Sequence, residues 1–186
     1  MMPTLRYTIR AASDGDWDAV RDLFRDYLSE LDFDLDFQDV NRELRALPGP
    51  YASPDGAVLL ARDPESNTNQ RTGNGHRAVG VVAIKPLDAE NGTRICEMKR
   101  LYVRPGHRGR GLGRALAEAI VEEARRRDYD VMRLDTVASM TSARAVYDRL
   151  GFRERDAYYH NPLDDVVYYG RHLYSNPSSR IDRHAS

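Results

Sequence analysis

The segment RGRGLGR, residues 108–114, concentrates the residue types that bind phosphate groups. Its three arginines and three glycines stand between a strand-like run that ends at Val103 and a helix-like run that begins at Gly113. A glycine-rich turn lets backbone N–H groups point at an anion, and the dipole of the following helix favours negative charge there. Guanidinium groups add donors in a fork geometry that suits phosphate oxygens. The segment therefore predicts a phosphate-binding loop.

Two other phosphate loops do not fit this spacing. A dinucleotide fingerprint, G-x-G-x-x-G, counted from Gly109 meets Gly111 but then finds Arg114 in its last position. A Walker loop ends in Gly-Lys-Ser/Thr, and the segment contains no lysine. The alternative to a phosphate-binding loop is that the segment binds no ligand and forms a glycine-rich turn with solvated arginines.

The loop and its flanks resemble the GNAT superfamily of acetyltransferases, whose signature is R/Q-x-x-G-x-G/A. Arg108, Gly111 and Gly113 fill that signature. The resemblance extends to the strand ending LYVRP, the helix RALAEAIVEEARRR and the distal segment SARAVYDRLGF. It covers residues 94–152, with weaker likeness over most of the chain. Several linked motifs in the same order are more specific than one glycine loop.

The resemblance implies an acyl-CoA-dependent N-acetyltransferase with acetyl-CoA as co-substrate. It places the pantetheine arm along the last strand residues and the pyrophosphate on the loop. It also implies a β-bulge that splays the strand and frees a backbone donor, for which the Val103 N–H is our candidate, to polarise the thioester carbonyl. The predicted cofactor-binding residues are Leu101, Tyr102, Val103, Arg108, Gly109, Arg110, Gly111, Leu112, Gly113, Arg114, Ser142 and Ala143. Met140 departs from the asparagine of many relatives, which puts a side-chain contact there in doubt.

Glu97 is the candidate general base, because amide formation needs a neutral amine whose proton goes to a base or to water. It lies six residues before the end of the strand, where lysine-acetylating members of the family place a glutamate. Strand alternation puts it on one face with Lys99, Leu101 and Val103. The alternative is a structural glutamate paired with Lys99 or Arg100.

Tyr147 is the candidate general acid for the departing thiolate, since it precedes the Gly-Phe pair as the family's acid does. Its alternative is a packing role. A cluster at residues 158–161 (Tyr158, Tyr159, His160, Asn161) and the loop 33–37 are both candidates to line the acceptor end of the cleft, and either can equally be packing.

The acceptor is left open by the sequence. Direct transfer to the primary amine of a small molecule or an amino acid is the first hypothesis, and transfer to a protein lysine or N-terminus is the second. A non-catalytic acyl-CoA sensor would keep the loop without needing Glu97 and Tyr147, so their presence favours an enzyme.

Composition narrows the remaining classes. The net charge of −1, with 31% charged and 41% hydrophobic residues, is typical of a globular domain and gives no attraction to nucleic acid. Only Lys85 and Lys99 are lysines, which genome composition explains as well as chemistry does. No apolar run reaches the roughly 20 residues of a membrane span, and no signal core is present, so we expect no membrane association and a cytoplasmic location. A homodimer is compatible with the sequence.

Cys96 is the only cysteine and excludes an internal disulfide. It lies in an apolar run with parity opposite to Glu97, which predicts a buried side chain rather than a nucleophile, and hence direct transfer rather than a covalent intermediate. No His, Asp and Cys spacing indicates a metal site.

The elements that must position these residues form one predicted α/β domain at 1–175, with a disordered tail at 176–186. The predicted strands are 7–10, 57–62, 78–85, 94–103, 131–136 and two stretches around the turn 161–165, and the predicted helices follow Ser13 and cover 38–47, 113–127 and 142–150. The resemblance implies a central mixed, mostly antiparallel sheet of six to seven strands, flanked by helices and splayed at the strand ending Val103.

Overall fold

The computed structural model describes residues 7–31, 39–67 and 76–174. Within these ranges the strands are β1 (Thr8–Ala11), β2 (Ala57–Asn67), β3 (His76–Glu90), β4 (Thr93–Val103), β5 (Val131–Val137), β6 (Arg153–Arg155) and β7 (Val166–His172). The helices are α1 (Trp17–Ser29), α2 (Val40–Ala46), α3 (Leu112–Arg126) and α4 (Thr141–Arg149). Each predicted element is present with its ends shifted by a few residues. The loop 33–37 and the tail 176–186 lie outside the described residues.

All seven of these strands join one sheet in the order β1-β2-β3-β4-β5-β7-β6. Neighbours run antiparallel except β4 and β5, which are parallel. The β4–β5 pairing is confined to residues 95–97 against residues 131–133. Beyond Glu97 the two strands separate, and a slot opens between them. The predicted mixed, mostly antiparallel α/β sheet of six to seven strands is confirmed.

A β-bulge lies in β4 beside this separation. Two residues, Arg100 and Leu101, face the single residue Val82 of β3. Arg100 has φ +57°, a left-handed conformation that non-glycine residues rarely adopt. A bulge adds one unpaired residue and increases the local twist, so the end of β4 turns away from β5.

The bulge also changes which side chains share a face. Cys96 precedes it and Leu101 and Val103 follow it, yet all three pack in the core beneath α3. Glu97 and Lys99 point to the opposite face, where their charged groups approach to 3.4 Å. The expectation that Glu97 shares a face with Lys99 is confirmed. The expectation that Leu101 and Val103 also lie on this face is wrong, because the extra residue in the bulge reverses the alternation of side chains along β4.

Helices cover both faces of the sheet. On one side α3 buries a stripe whose members recur every three or four residues: Leu112, Leu116, Ile120 and Ala124. Gly80 of β3 permits this close approach, since a Cβ there would lie 2.9 Å from Leu116 Cδ1. On the other side α1 buries Val20, Leu23 and Phe24. In the parts of the chain that the structure describes, no helix has the length and apolar character to span a membrane.

Candidate active site

The turn between β4 and α3 forms a cradle for an anion. Gly109 and Gly111 have φ values of +72° and +78°, which glycine adopts without strain. A Cβ on Gly109 would meet no atom within 4 Å, so the space beside it is open. The first backbone bond of α3 runs from the Ala115 N–H to the Gly111 carbonyl, which leaves the N–H groups of residues 112–114 without a partner inside the helix. These features together fit a phosphate group.

The three arginines of the loop are exposed around this cradle. Arg108 donates from Nε to the Val103 carbonyl at 2.7 Å and from Nη2 to Glu30 Oε2 at 2.5 Å. The ion pair with Glu30 is solvent-accessible on both sides, with 46% and 37% of the two side chains exposed, and such pairs are weak. Arg110 donates to the Tyr7 hydroxyl at 3.3 Å, and Arg114 donates to Glu118 at 2.7 Å. The remaining donors of the three exposed guanidinium groups are available to an anion.

The slot between β4 and β5 is a narrow cavity of about 60 Å³. Met98 and Leu101 line it from β4, Thr136 lines it from β5, and Ala143 and Tyr147 line it from α4. The structure thus brings Leu101, Ala143 and Tyr147 of the predicted site together. Ser142 is exposed at the start of α4, and the side chain of Tyr102 lies on the α1 side of the sheet.

The backbone of Val103 is open toward the slot. Arg104 donates from its N–H to the Val79 carbonyl at 2.9 Å, which makes Gly80 and Val103 a pair without direct hydrogen bonds. The N–H and carbonyl of Val103 therefore point away from β3. The carbonyl accepts the bond from Arg108, and the N–H faces the side where β5 has separated.

Tyr147 combines packing with access to the slot. Its side chain is buried, and its ring contacts Phe152 and Tyr169 at centroid distances of 6.0 and 5.9 Å. Burial raises the pKa of its hydroxyl well above the usual value, so the group is a neutral donor at physiological pH. Both interpretations of Tyr147 from the sequence are compatible with this position.

A larger cavity of about 590 Å³, here called the polar cleft, lies on the opposite side of the separated strands. Lys85, Glu97 and Tyr158 line it, as do Lys99 and Arg100. The last two residues also line the slot. The two cavities therefore adjoin each other where the bulge separates β4 from β5, with Lys99 and Arg100 between them.

Glu97 lies at the floor of the polar cleft with only 2% of its surface exposed. Tyr158 donates to Oε1 at 2.6 Å, and the ammonium groups of Lys85 and Lys99 lie 3.1 and 3.4 Å from the carboxylate. These are the only two lysines of the chain. The carboxylate thus has one hydrogen bond and two ion pairs inside the protein. The predicted contact with Lys99 is present, whereas Arg100 pairs with Glu43 instead.

A second carboxylate, Asp135 of β5, was not among the candidates from the sequence. It accepts from Lys99 at 2.8 Å and from the Tyr159 hydroxyl at 2.8 Å. Burial raises its pKa, but Lys99 and Tyr159 lower it further, and the net pKa lies below the usual range. Burial likewise lowers the pKa of Lys99, while Glu97 and Asp135 raise it to a net value above the usual one. The only sequence signal for Asp135 is an acid within the apolar run VMRLDTV.

Cys96 is fully buried beneath α3, as expected from its parity. Its thiol contacts the Val131 carbonyl at 3.8 Å, and burial raises its pKa well above the usual value. His160 is exposed at the edge of the polar cleft. Over the described ranges, no group of three or more His, Cys, Asp or Glu side chains is arranged to hold a metal ion.

Comparison with known proteins gives a consistent result. The acetyltransferase (GNAT) family model matches residues 17–152. An uncharacterized N-acetyltransferase of Schizosaccharomyces pombe is 39% identical over 82% of this chain and 86% of its own length. A GNAT acetyltransferase of Staphylococcus aureus superposes with a TM-score of 0.68 at 21% identity, over 90% of this chain and 99% of that one. The Salmonella typhimurium protein yncA, solved with acetyl-CoA, has a TM-score of 0.62 at 21% identity, over 93% and 97% of the two chains. The last two likenesses concern the fold.

Proposed function

Since the chain belongs to the GNAT family of acetyltransferases, we propose that it transfers acetyl from acetyl-CoA to a primary amine of a small molecule. The enzyme is an N-acetyltransferase, and acetyl-CoA is its co-substrate. The observation that carries the proposal is that the slot and the polar cleft adjoin each other at Lys99 and Arg100. Donor and acceptor enter from opposite sides, so the amine attacks the thioester directly in a ternary complex.

The donor end uses the residues predicted from the sequence. Acetyl-CoA supplies an activated thioester and an anionic pyrophosphate when bound. The glycine cradle and the unpaired N–H groups of residues 112–114 fit that pyrophosphate. The backbone of residues 101–103 holds the pantetheine arm, and Ser142 and Ala143 contact it from α4. The Val103 N–H polarises the thioester carbonyl, because a fixed donor stabilises the charge that develops on that oxygen.

The acceptor amine must lose a proton, and Glu97 is the proposed base. Because Glu97 is almost fully covered, the proton reaches it through Tyr158, whose hydroxyl accepts from the amine while it donates to the carboxylate. Tyr158 is neutral before and after this transfer. Tyr147 lines the slot and donates to the departing thiolate.

The form of the polar cleft supports a small acceptor. Its volume of about 590 Å³ lies within the usual range for small-molecule sites. Its walls come from α2 and the segment after it, from β3, β4 and β5, and from the segment before β7. Residues 158–160 line one side. An extended peptide would require a groove that continues past these residues.

A screen of primary amines, amino acids and short peptides with acetyl-CoA, followed by release of free thiol, tests the proposal. We expect turnover with at least one small amine and little with peptides. Turnover with peptides alone would favour a protein acetyltransferase. Tight binding of coenzyme A without turnover of any acceptor would favour a non-catalytic sensor.

A further inference from the structure

Two carboxylates at the inner wall of the polar cleft already have partners inside the protein. Glu97 accepts a hydrogen bond from Tyr158 and is ion-paired with Lys85 and Lys99, and Glu43 accepts once from Tyr51 and twice from Arg100. Glu90 is paired with Arg133, and Asp88 lines the cleft as an exposed carboxylate. An anionic group on a ligand would therefore bind where a cation reaches the cleft.

Lys85 is the cation best placed to meet such a group. Its side chain is 31% exposed, and its ammonium contacts only Glu97 among the described residues. An ammonium has three donors, so two remain. Arg100 adds an Nη1 group that has no hydrogen-bond partner in the described part of the chain, although its own side chain is only 4% exposed.

We propose that the acceptor is a free α-amino acid whose carboxylate binds Lys85; this rests on the proposed acetyl transfer at the same site. The amino group and carboxylate of an α-amino acid are attached to one carbon. Lys85 and Tyr158 likewise present a cation and a proton acceptor on the two oxygens of one carboxylate, with Lys85 Nζ 3.1 Å from Oε2 of Glu97 and the Tyr158 hydroxyl 2.6 Å from Oε1. The carboxylate meets Lys85 while the amine meets the Tyr158 hydroxyl.

The test compares three acceptors made from one amino acid: the acid itself, its carboxamide and the amine that lacks the carboxyl group. We expect the wild-type enzyme to show a kcat/KM for the acid at least about tenfold above that for the other two, as a charged hydrogen bond predicts. In Lys85→Met the preference falls to about threefold or less through a higher KM for the acid. Lys85→Arg restores part of it.

Arg77→Met is the matched control, because it removes a cation from the exposed end of the same strand, β3, outside the cleft. It should keep the wild-type preference. Equal use of all three acceptors by the wild-type enzyme, an equal loss for all three in Lys85→Met, or a preference for dipeptides would overturn the proposal. The wild-type comparison stands even if Lys85→Met does not fold. Absence of turnover with every amine would instead reject acetyl transfer itself.

Discussion

The Tyr158 hydroxyl donates a 2.6 Å hydrogen bond to Oε1 of Glu97, and these residues are 61 positions apart in the sequence. The phenol lines the polar cleft, while Glu97 is 2% exposed. In the proposed mechanism the acceptor's proton reaches Glu97 through this hydroxyl. Substitution of Tyr158 can therefore test this proton route as well as substitution of Glu97 can.

Replacing Tyr158 with phenylalanine keeps the ring but removes the relay. We expect kcat to fall by about tenfold to a hundredfold, as loss of a proton-transfer group does, with an unchanged KM for acetyl-CoA. Steady-state kinetics measure both. Tyr168→Phe is the control, because its hydroxyl donates to the Tyr159 backbone carbonyl instead. Wild-type activity in Tyr158→Phe would mean that the amine does not use this route.

The phosphate cradle can be tested with two matched glycines. Gly109 and Gly92 both have positive φ, +72° and +79°, and open space where a Cβ would stand. An alanine at either position costs about 1–2 kcal/mol of folding stability. We expect only Gly109→Ala to weaken coenzyme A binding, by about tenfold in calorimetry, because its methyl group intrudes on the cradle. Equal affinities for the two variants would place the pyrophosphate elsewhere.

Tyr147→Phe separates the acid role from packing. The ring contacts with Phe152 and Tyr169 remain, so the thermal midpoint should change little, while kcat falls by about tenfold or more. Tyr129→Phe serves for comparison, because its hydroxyl donates to the Asp55 carbonyl outside both cavities. A variant of Tyr147 with normal kcat would leave the residue with a packing role alone.

The Lys99–Asp135 pair sets an expectation for pH dependence. The pKa of Lys99 is raised in the folded protein. Its contribution to folding stability is therefore complete at pH values below its ordinary pKa of 10.5, and it is lost as the pH rises through the pKa of the folded state. The pKa of Asp135 is lowered in the folded protein. Its contribution to folding stability is therefore complete at pH values above its ordinary pKa of 3.8, and it is lost as the pH falls through the pKa of the folded state. Both groups therefore stay charged from about pH 5 to about pH 10.

Within that pH window the titration of the acceptor amine, rather than that of Lys99 or Asp135, should determine how kcat/KM depends on pH. Two acceptors whose amine pKa values differ by about one unit should give inflections displaced by about one unit. Rates measured across the window test this. An inflection that stays in place for both acceptors would show that a group of the enzyme, and not the amine, titrates there.

The strand, loop and helix of the proposed donor end could be predicted from the sequence because their signals are contiguous. The loop 108–114, the strand before it and the helix after it are neighbours in the chain, so spacing alone relates them. The face of Leu101 and Val103 was predicted wrongly because one extra residue at Arg100 reverses the alternation of side chains. The family resemblance implies a bulge in this strand, but no residue type shows where it lies.

The acceptor end depends on contacts between distant segments. Lys85, Asp135 and Tyr158 come from three separate segments, and β-sheet pairing brings them to Glu97 and Lys99. The sequence shows that the chain has only two lysines, but only the fold shows that both of them contact Glu97. The roles of the individual cofactor-binding residues stay predictions.

The central claim, direct transfer between two substrates held together, is tested most directly by initial rates with acetyl-CoA and the acceptor both varied. Two cavities that adjoin each other at Lys99 and Arg100, and a thiol that is fully buried at Cys96, predict intersecting double-reciprocal lines, with full activity in Cys96→Ala. Parallel lines, together with an acetylated enzyme formed from acetyl-CoA alone, would contradict the account.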